Sequence, residues 1–448
     1  MKAEDKYKVG TLTPLECHGE RKRTIGILSL GCPRNLVDSE SILNRLKLKK
    51  YPLVDIDKAD VAIVNTCAFI KDATSESLDA ISDLIDLKKE GKLKKIIVYG
   101  CLPQRYKGEL RDELPEVDAF IGKISFPVYH TNGNLRFSLT PKHYAYVKIC
   151  EGCINNCSYC VIPKIKGKFT SLDINSLLNK IERFDKDKVA EVNIIGQDIT
   201  GYGIDLYGSL ELPGLLKRIV KKIKNIGWLR LLYLYPNRIS DELLNLIKDE
   251  PRICKYIDLP VQHINDRILR LMRRHTRKKD ILKVIDKIRK TIPNVGIRTS
   301  LIVGFPSETD KEFKELLEFI EEIKFERLGA FMYSREEGTP AYNFKKQVLN
   351  RIKSERFNVL MSCQQEISRS INQKFLGKIL DVLIDEKDPA TPEDSDSGGG
   401  AYLGRSQYDA PEVDGLVYVS SKRELKPGDF VKVKINDTLE YDLVGETP

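Results

Sequence analysis

The stretch Cys153-Ile-Asn-Asn-Cys157-Ser-Tyr-Cys160 lies near the middle of this 448-residue chain and decides how the residues around it are interpreted. Three thiolates at this spacing can wrap one compact loop around a [4Fe–4S] cube. Because a cube has four irons, three ligands leave one iron open for a substrate or cofactor, as an open position does at a catalytic zinc. A zinc site is the alternative, and it needs a fourth ligand at short range, for which Cys150 is the candidate. The spacing favours the iron–sulfur cluster.

Strands and helices alternate after this loop. Together with Tyr144-Ala-Tyr-Val-Lys-Ile149, apolar runs near residues 192, 229, 256, 296 and 327 give six β/α units. Six such units predict a full or partial TIM-like barrel over residues 140–370, with a catalytic rim at the carboxyl ends of its strands. The polar residues expected on that rim are Gln197, Asp198, Asn237, Gln262, His263 and Ser334.

Three apolar runs before the loop each end in a cysteine. They are Ile25-Gly-Ile-Leu-Ser-Leu-Gly-Cys32, Val61-Ala-Ile-Val-Asn-Thr-Cys67 and Ile96-Ile-Val-Tyr-Gly-Cys101, with helical patterns between them. This alternation predicts a doubly wound α/β domain over residues 24–130, after a flexible extension at residues 1–23. Parallel strands of such sheets bind ligands at their carboxyl ends. We therefore expect the three thiols to share a ligand, although buried cysteines also occur in strands as small hydrophobic residues.

The end of the chain has a different pattern. Short alternating runs, among them Leu416-Val-Tyr-Val and Phe430-Val-Lys-Val-Lys-Ile, are separated by turn residues. They predict a small antiparallel β-barrel over residues 377–446. Residues 381–448 contain seven Lys and Arg against sixteen Asp and Glu, so this region carries −9 and the remainder +18 of the total of +9.

Composition limits the class of protein. The chain has ten cysteines, and Met1-Lys-Ala-Glu-Asp-Lys-Tyr-Lys-Val-Gly10 lacks the apolar run of a secretory signal. Cysteines in such a context favour metal or redox chemistry over disulfides. No run of eighteen apolar residues occurs, so we expect a cytoplasmic protein with no membrane span.

Over residues 24–446 the chain resembles the radical S-adenosylmethionine (SAM) methylthiotransferases. These enzymes join a three-cysteine α/β domain to a radical SAM barrel and a small β-barrel called TRAM. Two branches of the family modify tRNA, and a third modifies an aspartate of a small-subunit ribosomal protein. The strings that resemble the third branch include Gly31-Cys-Pro-Arg-Asn-Leu-Val-Asp-Ser-Glu40, Gly196-Gln-Asp-Ile-Thr-Gly-Tyr-Gly-Ile-Asp-Leu-Tyr-Gly208, Tyr333-Ser-Arg-Glu-Glu-Gly-Thr-Pro-Ala341 and Ala410-Pro-Glu-Val-Asp-Gly415.

The resemblance implies a reaction and its cofactors. Two [4Fe–4S] clusters and SAM would together add a methylthio group to the β-carbon of the aspartate, with a reduced flavodoxin or ferredoxin and a sulfur donor as partners. The alternative is a tRNA adenosine methylthiotransferase.

The resemblance also implies site residues. Tyr159 would contact the adenine of SAM, and its alternative role is barrel packing. Gln197 and Asp198 would also contact SAM, and their alternative role is a capping turn. The implied cluster ligands are Cys32, Cys67 and Cys101 for one cluster and Cys153, Cys157 and Cys160 for the other.

Two further features bear on the branch and on the site. Phosphate contacts dominate RNA affinity, so an RNA-binding C-terminal domain should be basic. We expect this acidic domain to dock a basic ribosomal protein without direct RNA readout, through side chains such as Asp409, Glu412 and Asp414. The stretch Lys166-Gly-Lys-Phe-Thr-Ser171 departs from the family, which commonly has Arg-Gly and Ser-Arg here, and the effect of that change stays open.

Overall fold

The computed structural model describes residues 23–106, 108–122, 138–388 and 399–448. Residues 1–22 of the predicted extension and residues 123–130 of the predicted α/β domain lie outside them. The chain divides into two compact units. The first is Met1–Thr140, Tyr146–Ile154 and Cys160–Thr170, and the second is Pro141–Ala145, Asn155–Tyr159 and Ser171–Pro448. The domain boundaries expected from the sequence stay a prediction.

Strands and helices alternate at the start of the first unit. Strands β1 to β4 pair in that order and in parallel. The elements are β1 (Ile25–Ser29), α1 (Pro33–Leu48), β2 (Val61–Thr66), α2 (Lys71–Lys89), β3 (Lys95–Gly100), α3 (Cys101–Tyr106), α4 (Glu109–Glu113) and β4 (Ala119–Ile121).

A single-residue bridge makes this sheet doubly wound. Leu53 pairs in parallel with Ile25, whose N–H donates to Pro52 O (2.9 Å) and whose carbonyl accepts from Val54 N (3.0 Å). The neighbouring Thr24 carbonyl accepts instead from β2, so the bridge lies on the other edge of β1. After β1 the chain therefore forms the Leu53 bridge on one edge of β1 and then β2 on the other edge, so strand order reverses at β1.

Helices cover both faces of the sheet, as that reversal requires. Leu43 of α1 packs in a core with Ile25 and Ile27. The alternate residue Leu28 points to the opposite core, together with Ile81 of α2. The predicted doubly wound domain is confirmed.

The middle of the chain contains the predicted series of parallel strands. Its elements are β5 (Tyr144–Lys148), β6 (Cys150–Glu151), α5 (Ile162–Lys166), β7 (Thr170–Ser171), α6 (Ile174–Lys186), β8 (Glu191–Ile195), α7 (Ile204–Tyr207), α8 (Leu212–Lys222), β9 (Trp228–Leu231), α9 (Asp241–Asp249), β10 (Tyr256–Asp258), α10 (Asp266–Leu271), α11 (Lys278–Thr291), β11 (Gly296–Val303), α12 (Asp310–Ile323), β12 (Arg327–Met332) and α13 (Asn350–Asn372). No helix in the part of the chain that the structure describes has both the length and the apolar character to cross a membrane.

These strands form a partial barrel, which is one of the two forms that the sequence predicts. β8 pairs with β9, and β10 pairs with β11, which pairs with β12, all in parallel. The two groups are joined where Cys254 N donates to Leu229 O at 3.0 Å. Several of the helices begin at a side-chain cap, among them α6 at Asp173 and α9 at Ser240, and α12 follows a capping box formed by Thr309 and Glu312.

The C-terminal strands close into a five-stranded barrel in the order β13-β14-β15-β17-β16. Their bounds are β13 (Ile379–Lys387), β14 (Gly400–Ser406), β15 (Val417–Ser421), β16 (Phe430–Thr438) and β17 (Leu443–Glu446). Alternate residues of β16 are buried, which explains the sequence pattern. The prediction of an antiparallel barrel is wrong for one pairing, since β15 and β17 run parallel. A closed ring with an odd number of strands cannot alternate direction throughout.

The three acidic residues expected to dock a partner are instead engaged within the second unit. Asp409, Glu412 and Asp414 accept hydrogen bonds from Arg327 Nε (2.9 Å), Tyr144 Oη (2.9 Å) and Tyr256 Oη (2.6 Å), respectively. Asp409 is 1% exposed. Asp409 and the Asp414 side chain are therefore not free for docking, because they attach the C-terminal barrel to the residues around the parallel strands, whereas Glu412 is exposed. Docking of a ribosomal protein by the acidic domain stays a prediction.

Candidate functional site

The N-terminal cysteines lie at the carboxyl ends of adjacent strands, as predicted. Cys32 is the N-cap residue of α1, just after β1. Cys67 directly follows β2, and Cys101 directly follows β3 as the first residue of α3. β1 is the strand at which strand order reverses, and doubly wound sheets bind ligands at such a point. The fold thus brings three thiols to the expected ligand position.

Contacts between the loops hold this arrangement together. Asn35 Nδ2 donates to the Thr66 carbonyl at 3.0 Å, and Asn35 Oδ1 accepts from Cys101 Sγ at 3.7 Å. Gly31 has a φ of +83°, and a Cβ at this position would lie 2.7 Å from Cys67 Cβ. Only glycine therefore allows the first loop to come so close to Cys67.

The three thiols also influence one another electrostatically. Burial, together with the nearby Cys32 and Cys101, raises the pKa of the Cys67 thiol to about 12. Burial would raise the pKa of Cys32 too, but Arg34, whose Nε donates to Cys32 Sγ at 3.4 Å, brings that pKa below its ordinary value. A bound metal deprotonates coordinating thiols. The three thiols therefore fit a metal group, whose positive charge would stabilise the deprotonated form of Cys67.

The spacing of the thiols bears on the kind of metal group. Among the described residues, no three His, Cys, Asp or Glu side chains converge closely enough to hold one metal ion. In a [4Fe–4S] cube each thiolate binds a different iron, so the ligands need not meet at a single point. In a cube the three N-terminal thiolates would bind three different irons and leave the fourth iron open.

The second cysteine set lies on the loop between β6 and α5. Cys153 and Cys160 belong to the first unit, and Cys157 belongs to the second. Within the second unit, Arg274 donates to Cys157 Sγ at 3.9 Å and lies over the Tyr235 ring, 4.2 Å from its centroid. Burial alone would lower the pKa of Arg274, but Tyr159, Cys157 and Tyr235 raise it, so a permanent positive charge lies beside Cys157.

Asp198 and Gln197 follow β8, on the predicted rim. Asp198 is buried and accepts from Asn155 Nδ2 (2.7 Å) and from the Thr200 main chain (3.1 Å), and it forms an ion pair with Arg238. The capping role is present, since the bond to Thr200 caps the short 3₁₀ helix Ile199–Gly201. Contact of either residue with SAM stays a prediction.

Tyr159 directly precedes Cys160 in the sequence. Its ring is partly buried against a core formed by Ile268, Met272, Ile302, Phe305, Tyr333 and Ala341. Packing, which was the alternative role, is thus observed, and contact with adenine stays a prediction.

Comparisons with known proteins follow the same division of the chain. Residues 24–122 match uncharacterized protein family UPF0004, residues 147–320 match the radical SAM superfamily, and residues 376–447 match the TRAM domain. Ribosomal protein uS12 methylthiotransferase RimO of Desulforamulus reducens is 47% identical, with 94% of this chain and 99% of that protein covered. The protein of the same name from Caldanaerobacter subterraneus is 46% identical, with 95% and 100% covered.

The chain belongs to the RimO family. The radical SAM fold is also seen in a solved structure of the methyltransferase TsrM from Kitasatospora setae, with a TM-score of 0.52. The match covers 77% of this chain and 89% of the TsrM chain. At 11% identity, the similarity is one of fold alone.

Three residues at the sites of this RimO-family chain carried no functional prediction. Arg274 is 117 residues from Cys157, so nothing local in the sequence connects them. Asn35 lies within the string that resembles the family, but its role depends on a contact to the Thr66 carbonyl. Lys166 was noticed only as a departure from the family pattern, whereas the structure buries it.

Proposed function

We propose that this chain transfers a methylthio group to the β-carbon of an aspartate in ribosomal protein uS12, with SAM as co-substrate. The observation that carries the proposal is membership of the RimO family over nearly the whole chain, with all three family segments present. The tRNA adenosine alternative is not favoured, because relatives matching at this coverage are named for uS12.

In this proposal the six cysteines hold two [4Fe–4S] clusters. Cys32, Cys67 and Cys101 hold one, and Cys153, Cys157 and Cys160 hold the other. When bound, the clusters supply the electron that cleaves SAM and a binding position for the sulfur that is transferred. A radical is needed because the target carbon is not activated toward ionic chemistry.

The protein side chains then position and shield these groups. Asn35 fixes the loop that carries Cys32 against the end of β2, which keeps the N-terminal thiols in place. Arg274 holds a positive charge beside Cys157. Asp198 orients Asn155, a neighbour of the cluster cysteines in sequence, and would thereby place polar groups toward SAM. Tyr159, Gln197 and Asp198 are the proposed SAM contacts. A reduced flavodoxin or ferredoxin, a sulfur donor and a cytoplasmic location complete the proposal.

Mass spectrometry of uS12 and of tRNA tests this function. Cells lacking the gene should contain uS12 without the methylthio group, and expression of the wild-type chain should restore that group. Expression of Cys67→Ala should not restore it, whereas Cys254→Ala should, because Cys254 is also buried but lies outside both cysteine sets. Restoration of methylthiolated adenosine in tRNA, with uS12 unmodified throughout, would show that the substrate is RNA.

A further inference from the structure

Four charged side chains are buried together in the first unit. Lys148 Nζ donates to carboxylate oxygens of both Asp38 and Glu151. Lys166 Nζ donates to Asp38 Oδ2 at 3.3 Å and lies 3.6 Å from Glu151 Oε1. The side chains are at most 10% exposed. Because desolvating ion pairs is costly, a buried network of this kind is weak evidence for a stabilising role and calls for another explanation.

The network lies beside the N-terminal cysteine site. Asp38 is on α1, the helix that Cys32 caps, and Lys166 is the last residue of α5. A cavity of about 10 Å³, the size of one water, has Asp38, Lys166 and Gly100 among its lining residues. Gly100 directly precedes Cys101, so the Lys166 side chain reaches the strand end that carries this cysteine.

The positive charge of Lys166 acts on the thiols. Burial alone would lower the pKa of this ammonium, but Asp38, Cys101 and Glu151 raise it well above its ordinary value, so the group stays charged. Ile165, the residue before Lys166 on α5, packs in the same buried core as Cys101, so this end of α5 lies beside the strand end that carries the cysteine.

We propose that Lys166 is a positioning residue for the N-terminal cluster: held by Asp38 and Glu151, its fixed positive charge raises the reduction potential of the group bound by the three cysteines. The inference rests on the proposed function, which places a cluster there. It also gives a role to a position at which the family resemblance led us to expect arginine, since lysine keeps the charge.

The test uses the full chain with Cys153, Cys157 and Cys160 changed to Ala, so that one cluster remains. After anaerobic reconstitution, iron per chain is measured, and the reduction of the cluster is followed by electron paramagnetic resonance in a redox titration. Lys166→Met should make reduction at least tenfold less favourable, which is about 59 mV for one electron. Lys166→Arg should restore the wild-type potential.

Two further variants separate charge from structure. Asp38→Asn removes a negative charge from the same network, so it should shift the potential in the opposite direction to Lys166→Met. Lys168→Met removes an exposed charge two residues away and should leave the potential unchanged, since water screens that group.

Each outcome supports or overturns the proposal. If Lys166→Met and Asp38→Asn both lose iron but leave the potential of the remaining cluster unchanged, Lys166 is structural and the proposal is wrong. If Lys166→Met binds no iron, the reduction potential of the cluster in Asp38→Asn decides. A higher potential than in the parent chain supports the proposal, and a lower or unchanged potential overturns it. If the parent chain with only the N-terminal cysteines binds no iron, the cluster assignment itself fails, and this result is distinct from a failure of the role of Lys166.

Discussion

Asp409 connects the C-terminal barrel to the parallel strands through a buried ion pair. Its Oδ1 accepts from Arg327 Nε at 2.9 Å, and its Oδ2 accepts from Ser406 Oγ at 2.5 Å. The Asp409 and Arg327 side chains are 1% and 7% exposed. Asp409→Asn keeps the shape of the side chain but leaves the guanidinium buried without its carboxylate. Breaking one partner of a buried pair costs about 3–5 kcal/mol, so we expect the free energy of unfolding to fall by that amount.

Urea unfolding followed by tryptophan fluorescence measures this loss at the relevant place. Trp228 is the single tryptophan of the chain, and its ring packs edge-on against Phe430 of the C-terminal barrel, with centroids 4.9 Å apart. The matched control is Asp381→Asn, which breaks an exposed pair with Lys432 at 2.7 Å. That change should cost no more than about 1 kcal/mol. Equal losses for the two variants would refute the reasoning, because the Asp409 pair would then not be buried in solution.

The remaining predictions concern the cysteines and a buried histidine. Cys157→Ala should remove about half of the iron and abolish SAM cleavage, whereas Cys67→Ala should remove about half but leave uncoupled cleavage measurable; unchanged iron in Cys67→Ala would contradict the N-terminal cluster. Burial lowers the pKa of His263 to about 4 from an ordinary value of 6.5, so the unfolded chain binds this proton more readily. The contribution of His263 to stability is therefore complete above pH 6.5 and falls by up to about 3 kcal/mol as the pH drops toward 4. His263→Gln should lose this part of the pH dependence in unfolding titrations, and an unchanged slope would argue against it.

The sequence predicted those parts of the site that depend on local repetition. Each strand run and the cysteine after it form one unit, and parallel pairing alone then brings Cys32, Cys67 and Cys101 to the same edge. The reversal of strand order was predicted only as a fold type. The element that produces it is the single bridge at Leu53, which is too short to give an apolar run of its own.

Contacts between distant residues explain what the sequence did not reveal. Arg274 and Cys157 are 117 residues apart, and Lys166 and Asp38 are 128 residues apart. A charged residue that will be buried against such a partner looks the same in sequence as one on the surface. Lys166 was therefore noticed as a replacement in a family pattern, and its burial beside the N-terminal thiols became visible only in the folded chain.

The acidic C-terminal region shows how the same limit affects a prediction about partners. Its net charge of −9 counts every carboxylate equally, whether it faces water or a buried arginine. Asp409 and Asp414 face Arg327 and Arg298 inside the second unit, so they contribute little to the field outside. Exposed acids such as Glu424 remain available to a basic protein. Charge complementarity with a ribosomal protein therefore has to be judged from these exposed groups, because only they lose water and counterions when a partner binds.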